Sequence, residues 1–431
     1  MLPVGLHYRF DPCYAGGMAV ENTRTESTRT RKENHLGHYG LGTDAPWYRP
    51  QELTKAERRV FSEMSKRSAK AKRQAMEGNV EPKHEINVPR LCPEALMPQL
   101  PRNGLRALSL FSGGGGLDLG FDRAGFEHVV SYEIVTDAAA TLSANRPQWE
   151  VKSGDEGDVT SVDWRKLKVD VIHAGPPCQP FSSAGRQLGH EDGRNLFPEF
   201  VRAVCEIKPL AFVAENVRAL LNGKFSQFVQ ERIMTPLSRE YSVFTFDLSA
   251  ASFGVPQVRT RVFFVGFQRG LRAQYCSPSP THYCEHSSDA PPPMAEAMQG
   301  VTFQRCMGAR EALGLPDIGF DALAPTLRSG LTGPRHTTSI LSSVSALKLW
   351  NRLQIWPNGV AQSREMAQRF VPENGHFRLS VPDCALLQGF PESWKFSGAV
   401  YKSTGQIGNS VAPPMAYQVA LSILRALSLT S

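Results

Sequence analysis

Three groups of side chains in this 431-residue chain have the types and spacing to do chemistry. The first is a single thiol. Cys178 lies in Ala-Gly-Pro-Pro-Cys-Gln-Pro-Phe-Ser-Ser-Ala-Gly (174–185), just after Val169-Asp-Val-Ile-His-Ala174, whose β-branched residues predict a buried strand. Prolines on both sides stiffen the loop and exclude helix. Ligands of open α/β sheets collect at strand ends, so the loop suits a nucleophile; an ordinary buried cysteine would leave a similar trace. The second group is a carboxylate. Leu210-Ala-Phe-Val-Ala-Glu-Asn-Val217 predicts a buried strand running into Glu215, and an acid there needs a partner, such as a neighbouring arginine, or a chemical role. The third is Gln257-Val-Arg-Thr-Arg261, ahead of the apolar strand Val262–Gly266. If it is extended, period-two alternation puts Gln257, Arg259 and Arg261 on one side, aimed at a ligand.

The elements that must position these groups alternate between strand and helix. Arg106-Ala-Leu-Ser-Leu-Phe111 predicts a buried strand entering Ser112-Gly-Gly-Gly-Gly-Leu-Asp-Leu-Gly120, with a helix starting inside the glycines. Such a turn lets backbone N–H groups approach a ligand. The third residue after Gly115 is Asp118, not glycine, which breaks the dinucleotide fingerprint and counts against a nicotinamide oxidoreductase. A second strand, His128–Glu133, ends in an acid about twenty residues past the first glycine, where a carboxylate can accept hydrogen bonds from both ribose hydroxyls. Phe200–Ile207 predicts an apolar helix, and Met415, Val419, Ala420, Ile423, Leu424 and Leu427 line one face of a final one. The fold expected is α/β and doubly wound.

Composition sets outer bounds. The formal charge is +7, and residues 1–100 carry 16 Lys/Arg against 12 Asp/Glu, which permits a polyanionic partner without demanding one. No apolar run reaches membrane-span length and the N-terminus lacks a signal-peptide layout, so a soluble, cytoplasmic protein with no membrane partner is expected. Eight dispersed cysteines suggest a reducing compartment. Cys276, His282, Cys284 and His286 match no common zinc spacing, and no metal is expected. Asn22–Asn34 has almost nothing to bury and predicts disorder; Thr54-Lys-Ala-Glu57 fits a capping box opening a basic helix to Arg73, either a DNA-backbone contact or a solvated linker helix. Pro82, Pro89, Pro93, Pro98 and Pro101 predict a linker, and Pro, Gly, Ser and Thr dominate much of 270–375.

Pro-Pro-Cys-Gln-Pro-Phe-Ser closely resembles the catalytic motif of the DNA cytosine-5 methyltransferases, bacterial restriction-modification type, and other motifs of that family follow in its order from Arg106 to Leu427. The glycine turn resembles its S-adenosylmethionine loop, Gly157-Asp-Val159 its adenine-binding motif and Glu215-Asn-Val217 its base-binding motif. Gln257–Arg261 resembles its Gln-x-Arg-x-Arg, Arg378–Pro391 its mainly structural ninth motif and Gly405–Pro414 its tenth. The resemblance implies a Rossmann-like methyltransferase domain (105–269), a smaller irregular target-recognition domain (270–375) and a closing segment (376–431) whose last helix folds back on the first domain. An N-terminal basic extension (1–104) precedes them.

The resemblance also implies roles. Cys178 adds to C6 of cytosine, Glu215 binds N3 and the exocyclic amine, Arg261 touches O2, and Arg259 supports them or holds phosphate. S-adenosylmethionine is expected to meet Phe111, Gly113, Gly115, Gly116, Leu117, Glu133 (ribose), Ile134, Asp158 (adenine), Val159, Pro176, Leu196, Asn409 and Val411. Gln257, Arg328, Arg335 and His336 are candidates for contact with double-stranded DNA, since guanidinium groups suit guanine and phosphate, and Thr326-Leu327 resembles a dipeptide of the recognition region. The implied protein is a monomer, with a restriction endonuclease acting on the same site. A transfer-RNA methyltransferase of the same fold would need a Cys-Phe-Thr signature, absent between Phe181 and Gly266. A catalytically silent DNA-binding module would have lost the thiol or the glutamate; both are present.

Overall fold

The apolar run before the glycines forms β1 (Arg106–Leu110) of a seven-stranded sheet in a computed structural model. The other strands are β2 (Glu127–Glu133), β3 (Val151–Ser153), β4 (Val171–Ala174), β5 (Ala211–Val217), β6 (Tyr241–Ser249) and β7 (Thr260–Gln268). The structure describes residues 85–177, 195–271, 273–285, 303–328, 338–370, 372 and 374–428, with scattered positions from 59 to 84. All of these belong to one unit, Gly40–Ser431.

The order across the sheet is β3-β2-β1-β4-β5-β7-β6, parallel from β3 to β5, with β7 antiparallel to both its neighbours. The chain winds outward through β2 and β3, then restarts at β4 on the other side of β1. Connections from β1 and β4 therefore leave in opposite directions, making the switch point at whose C-terminal edge sheets of this kind hold a ligand in a crevice. The glycine turn follows β1, and residues 175–177 lead from β4 toward Cys178.

Alternation along the strands sorts the core into two layers. Leu108, Leu110, Ile172, Ala174, Phe212 and Ala214 share one with Phe197, Phe200 and Val204. Ala107, Val171, Ala211 and Val213 share the other with Leu117, Leu119 and Phe121. The helices involved are α1 (Gly116–Arg123), α2 (Thr136–Asn145) and α3 (Phe197–Ile207), the last starting three residues earlier than its apolar run because Pro198 is tolerated in a first turn.

Beyond 269 the chain leaves the large sheet, but the alternation that the composition suggested would end there returns from 344 on, as helix–strand–helix–strand–helix. β8 (His282–Tyr283) pairs with β9 (Gln304–Arg305) and β10 (Ile355–Ala361) with β11 (Phe377–Ser380), the latter across the 375/376 boundary drawn from the sequence. Helices α4 (Val344–Arg352), α5 (Arg364–Arg369), α6 (Val381–Leu387), α7 (Val400–Asn409) and α8 (Pro413–Ser428) complete the unit. α8 lies directly on α1, so close that a Cβ on Gly120 would stand 2.6 Å from that of Ala416.

Two features depart from the sequence reading. β6 has no counterpart among the predicted strands: it is an edge strand whose side chains are mostly half-buried or exposed, which blurs its alternation. The proline-rich linker is, from residue 85 on, a packed strap. Met97 is fully buried, the Arg90 and Leu91 amides donate to the Ala312 carbonyl, and Asn87 Nδ2 donates to Leu313 O and to Asp383 Oδ1. At its far end Leu100 N donates to Arg123 O, and Arg102 pairs with buried Asp122 at 2.8 Å. Proline removes donors but does not prevent docking where neighbouring amides and side chains supply the bonds. Upstream, the described positions Arg59, Glu63, Lys66, Lys70 and Arg73 are helical, consistent with the basic helix.

The strap separates two truncations. Removing residues 1–84 should leave the urea midpoint near that of the full chain. Removing 1–104 also deletes Leu91 and Met97, whose burial contributes about 1.5–3 kcal/mol each, and should lower the midpoint markedly or give insoluble protein. Equal midpoints for the two truncated chains would show that the strap contributes nothing.

Candidate active site

The turn after β1 is built from backbone that side chains rarely adopt. Phe111, Gly113 and Gly115 have φ of 58°, 56° and 84°. A non-glycine residue there signals strain held for a purpose. Gly116 is required for a different reason: a Cβ on it would stand 2.1 Å from the Val411 carbonyl oxygen, so only glycine lets the α7–α8 corner meet the first turn of α1. Among the described residues, nothing lies within 4 Å of a Cβ on Gly113 except the Phe111 carbonyl at 4.0 Å.

Glu133 ends β2 beside this turn. Its carboxylate accepts from Gly113 N at 2.6 Å and from Val135 N at 2.8 Å. Burial pushes it above the ordinary carboxylate range, and the two amides pull it back. The next residue, Ile134, is 57% exposed, an unusual setting for a large apolar side chain. Asp158 follows a short turn after β3; hydrogen bonds from Thr160 N and Oγ1 hold it below its ordinary value, while Val159 is buried. Leu117 is buried in α1, and half-buried Leu196 caps α3. Asn409 is exposed at the end of α7, and Val411 is buried just after it.

On the other side of the crevice Glu215, 6% exposed near the end of β5, pairs with Arg261 Nε at 2.9 Å. The register explains the contact: Glu215 stands opposite Phe263 and Val217 opposite Arg261, so the pair is a diagonal one on a single face. Burial pushes the Glu215 carboxyl up; Arg261 and then Arg259 act against it. Pro176 O accepts from Asn216 Nδ2 at 3.0 Å, which ties the root of the Cys178 loop to β5. The two halves meet at Gly175. A Cβ there would lie 3.6 Å from Phe111 O, 3.8 Å from Glu215 Oε2 and 4.0 Å from Leu117 Cδ1.

Two residues of the arginine segment are placed otherwise than the sequence reading had them. Gln257 is fully buried, with its amide on Leu387 O and Gln388 Oε1, so it offers nothing to DNA. Arg259 is 1% exposed and donates to the Gly408 and Ser410 carbonyls; enclosed in this way it does not reach a phosphate. The alternation predicted one shared side, and the side it chose points into the protein as well as toward the crevice. Arg328 is half-buried, its amide on Ile340 O, and Thr326 Oγ1 donates to Val258 O, pinning the Thr326-Leu327 dipeptide to the arginine segment. Cys178, Arg335, His336 and His286 lie outside the described residues. Cys284 is buried in a small cluster with Cys306, and Cys276 is exposed.

Other neighbours of the site have no forerunner in the sequence reading. Trp394 Nε1 donates to Gly114 O at 3.1 Å, and its ring stands 2.6 Å from where a Cβ on Gly115 would be. Asp118 accepts from Ser131 Oγ and lies near His173, whose imidazole burial pushes down to about 4 despite the nearby charge, so it is neutral at pH 7. No local pattern announces these contacts. Trp394 is 280 residues from Gly114 in sequence.

Comparison with known proteins bears on this geometry. Residues 105–310 and 331–425 match the family described as C-5 cytosine-specific DNA methylase. The chain belongs to that family. Among similar proteins, the Type II methyltransferase M.NgoMIV of Neisseria gonorrhoeae is 33% identical over 74% of this chain and 97% of its own length. M.FnuDI of Fusobacterium nucleatum is 31% identical over 75% and 95%. A crystal structure of a prophage-encoded DNA modification methyltransferase (E. coli) superposes with a TM-score of 0.50 at 25% identity, covering 75% of this chain and all of that one.

The protein is thus a DNA (cytosine-5) methyltransferase, dependent on S-adenosylmethionine. The residues present fit that cofactor: a glycine turn, a buried acid and a largely exposed isoleucine stand side by side at the ends of adjacent strands.

Glu215 gives this methyltransferase a pH signature. Because its native value is raised above the ordinary 4.5, the folded state holds the proton more tightly than the unfolded chain. That stabilisation is complete below about 4.5 and is lost as pH rises through the native value. Glu215→Gln removes the titration, so melting temperature compared from pH 4 to pH 8 should show the wild type falling relative to the variant. A constant difference would contradict the raised value.

Proposed function

We propose that this methyltransferase methylates C5 of a cytosine flipped out of one short duplex sequence, through a covalent adduct with Cys178. Its product, 5-methylcytosine, would protect cytoplasmic host DNA against an endonuclease that cuts the same site. The observation that carries the reading is the buried Glu215–Arg261 pair, whose carboxylate and the glycine turn's Phe111 carbonyl both lie against Gly175. The names of the relatives, Type II methyltransferases, support the restriction-modification setting.

Cytosine C5 is a weak nucleophile, and addition at C6 is what activates it. The Cys178 thiolate forms the S–C6 bond, while Glu215 holds a proton at N3 and so stabilises the electron density entering the ring. Burial strengthens that carboxyl's hold on a proton, and Arg261 fixes its orientation and approaches O2. S-adenosylmethionine supplies the methyl group that C5 takes up. Loss of the C5 proton then breaks the S–C6 bond and restores the ring. A stacked base cannot reach these groups, so extrusion precedes chemistry.

On this reading Glu133 holds the ribose, Asp158 the adenine, and Phe111, Gly113, Leu117, Ile134, Val159, Pro176, Leu196, Asn409 and Val411 complete the cofactor site, Gly115 and Gly116 shaping its turn. Residues 105–269 carry the chemistry, 270–375 read the DNA through Arg328, Arg335 and His336, and 376–431 close the cofactor side. The basic helix before the strap adds contacts to the phosphate backbone, and the enzyme acts as a monomer.

Incubation with labelled S-adenosylmethionine and random-sequence duplex, followed by bisulfite sequencing, should reveal 5-methylcytosine at one short motif. Cys178→Ser should abolish turnover with DNA affinity nearly unchanged. Label found only on transfer RNA, or a fully active serine variant, would overturn the proposal.

A further inference from the structure

Arg259 is an arginine whose charge is almost wholly enclosed, a placement that is unfavourable by several kcal/mol unless partners compensate. Its Nη2 donates to Gly408 O at 2.9 Å and to Ser410 O at 2.6 Å. Those carbonyls flank Asn409 and directly precede Val411, whose own carbonyl meets the first turn of α1 at Gly116. Ser410 O is held a second time, by Gln388 Nε2 at 2.6 Å, and Gln388 Oε1 accepts from Gln257 Nε2 at 2.9 Å. Two residues of one short segment, Gln257 and Arg259, thus grip the α7–α8 corner directly or through Gln388. Arg261, two residues further on, holds Glu215.

We propose that Arg259 is a positioning residue that locks the 408–411 corner of the cofactor site to β7, the strand carrying Arg261 of the base-holding pair, so that cofactor and cytosine are held in register. This deepens the proposed function and rests on it. The side chain is suited to such a lock, because the two hydrogens of one guanidinium Nη2 lie in a fixed plane and serve two carbonyls at once, whereas a lysine ammonium on its flexible stem keeps the charge but not that fixed geometry. A role in binding phosphate would require an accessible guanidinium, and this one is 1% exposed.

The test uses the full-length chain with Arg259→Lys and, separately, Gln388→Met. S-adenosylhomocysteine binding is measured by calorimetry, duplex affinity by anisotropy at several salt concentrations, and KM and kcat on pooled genomic DNA. Arg259→Lys should weaken S-adenosylhomocysteine binding roughly ten- to hundredfold, the range for losing a hydrogen bond to a charged donor, and raise the KM for S-adenosylmethionine in step. kcat at saturation should fall less, and DNA affinity and its salt slope should not change. Gln388→Met should shift the same quantities the same way by a smaller factor, and it decides alone if Arg259→Lys fails to fold.

Unchanged cofactor binding with weaker DNA binding and a salt slope reduced by about one would make Arg259 a phosphate contact and overturn the proposal. A lower melting temperature with cofactor binding and both KM values unchanged would reduce it to a fold-stabilising residue and overturn it equally. If the wild type itself fails to bind S-adenosylhomocysteine, the methyltransferase reading of the site fails first, and the inference falls with it.

Discussion

The arrangement depends on one constraint: an acid near the end of an apolar strand must remain in the interior without being neutralised for good. Glu215 lies between buried strands, where desolvation favours its protonated form. The antiparallel return of β7 opposes this by bringing Arg261 diagonally across from it, close enough for a charge-assisted hydrogen bond. Among parallel strands β7 is the exception, and its direction is what places an arginine just before the apolar run beside a glutamate near the end of another. The result is a carboxyl that burial and cation pull in opposite directions, burial the stronger.

The cofactor half is organised around close approach. The glycine turn looks like a ligand loop, yet three of its glycines are occupied by protein: Gly114 faces Ser410, Gly115 faces Trp394, and Gly116 faces the carbonyl of Val411. Gly113, by contrast, has no such close neighbour among the described residues. The last helix and the segment before it therefore do more than cover a hydrophobic face. They press on the turn from behind, which stabilises a backbone with three alternate residues in positive φ. The strap at 85–103 acts at the opposite end of the same helix, through Arg102 on Asp122 and Leu100 on Arg123.

Much of this was legible in the sequence, because strands at the centre of a doubly wound sheet are continuous apolar runs and their C-terminal residues are the site. Glu133 and Glu215 stood out as acids closing such runs, and Arg261 as a long polar side chain opening another. What the sequence hid was of two kinds. β6 carries too few buried side chains to show a period, and its place in the sheet comes from pairing with β7. The contacts of Asn87, Gln257, Gln388 and Trp394 join segments that are far apart in the chain, and a polar or aromatic residue in a loop has no local signature for a distant carbonyl. The same limit explains Gln257 and Arg259. Period-two alternation fixes which side they share, but only tertiary packing decides whether that side is a ligand or the protein's own interior.

The most direct measurement is a covalent one. Duplex DNA in which every cytosine carries fluorine at C5 cannot lose a C5 proton after methyl transfer, so an enzyme working through a thiol adduct should remain bonded to it. With S-adenosylmethionine present, the wild type should give a denaturant-resistant protein–DNA species whose peptide map places the link at Cys178, and Glu215→Gln should form it far more slowly. An enzyme that methylates ordinary DNA yet forms no such species, or forms it at the same rate without Glu215, would contradict the account.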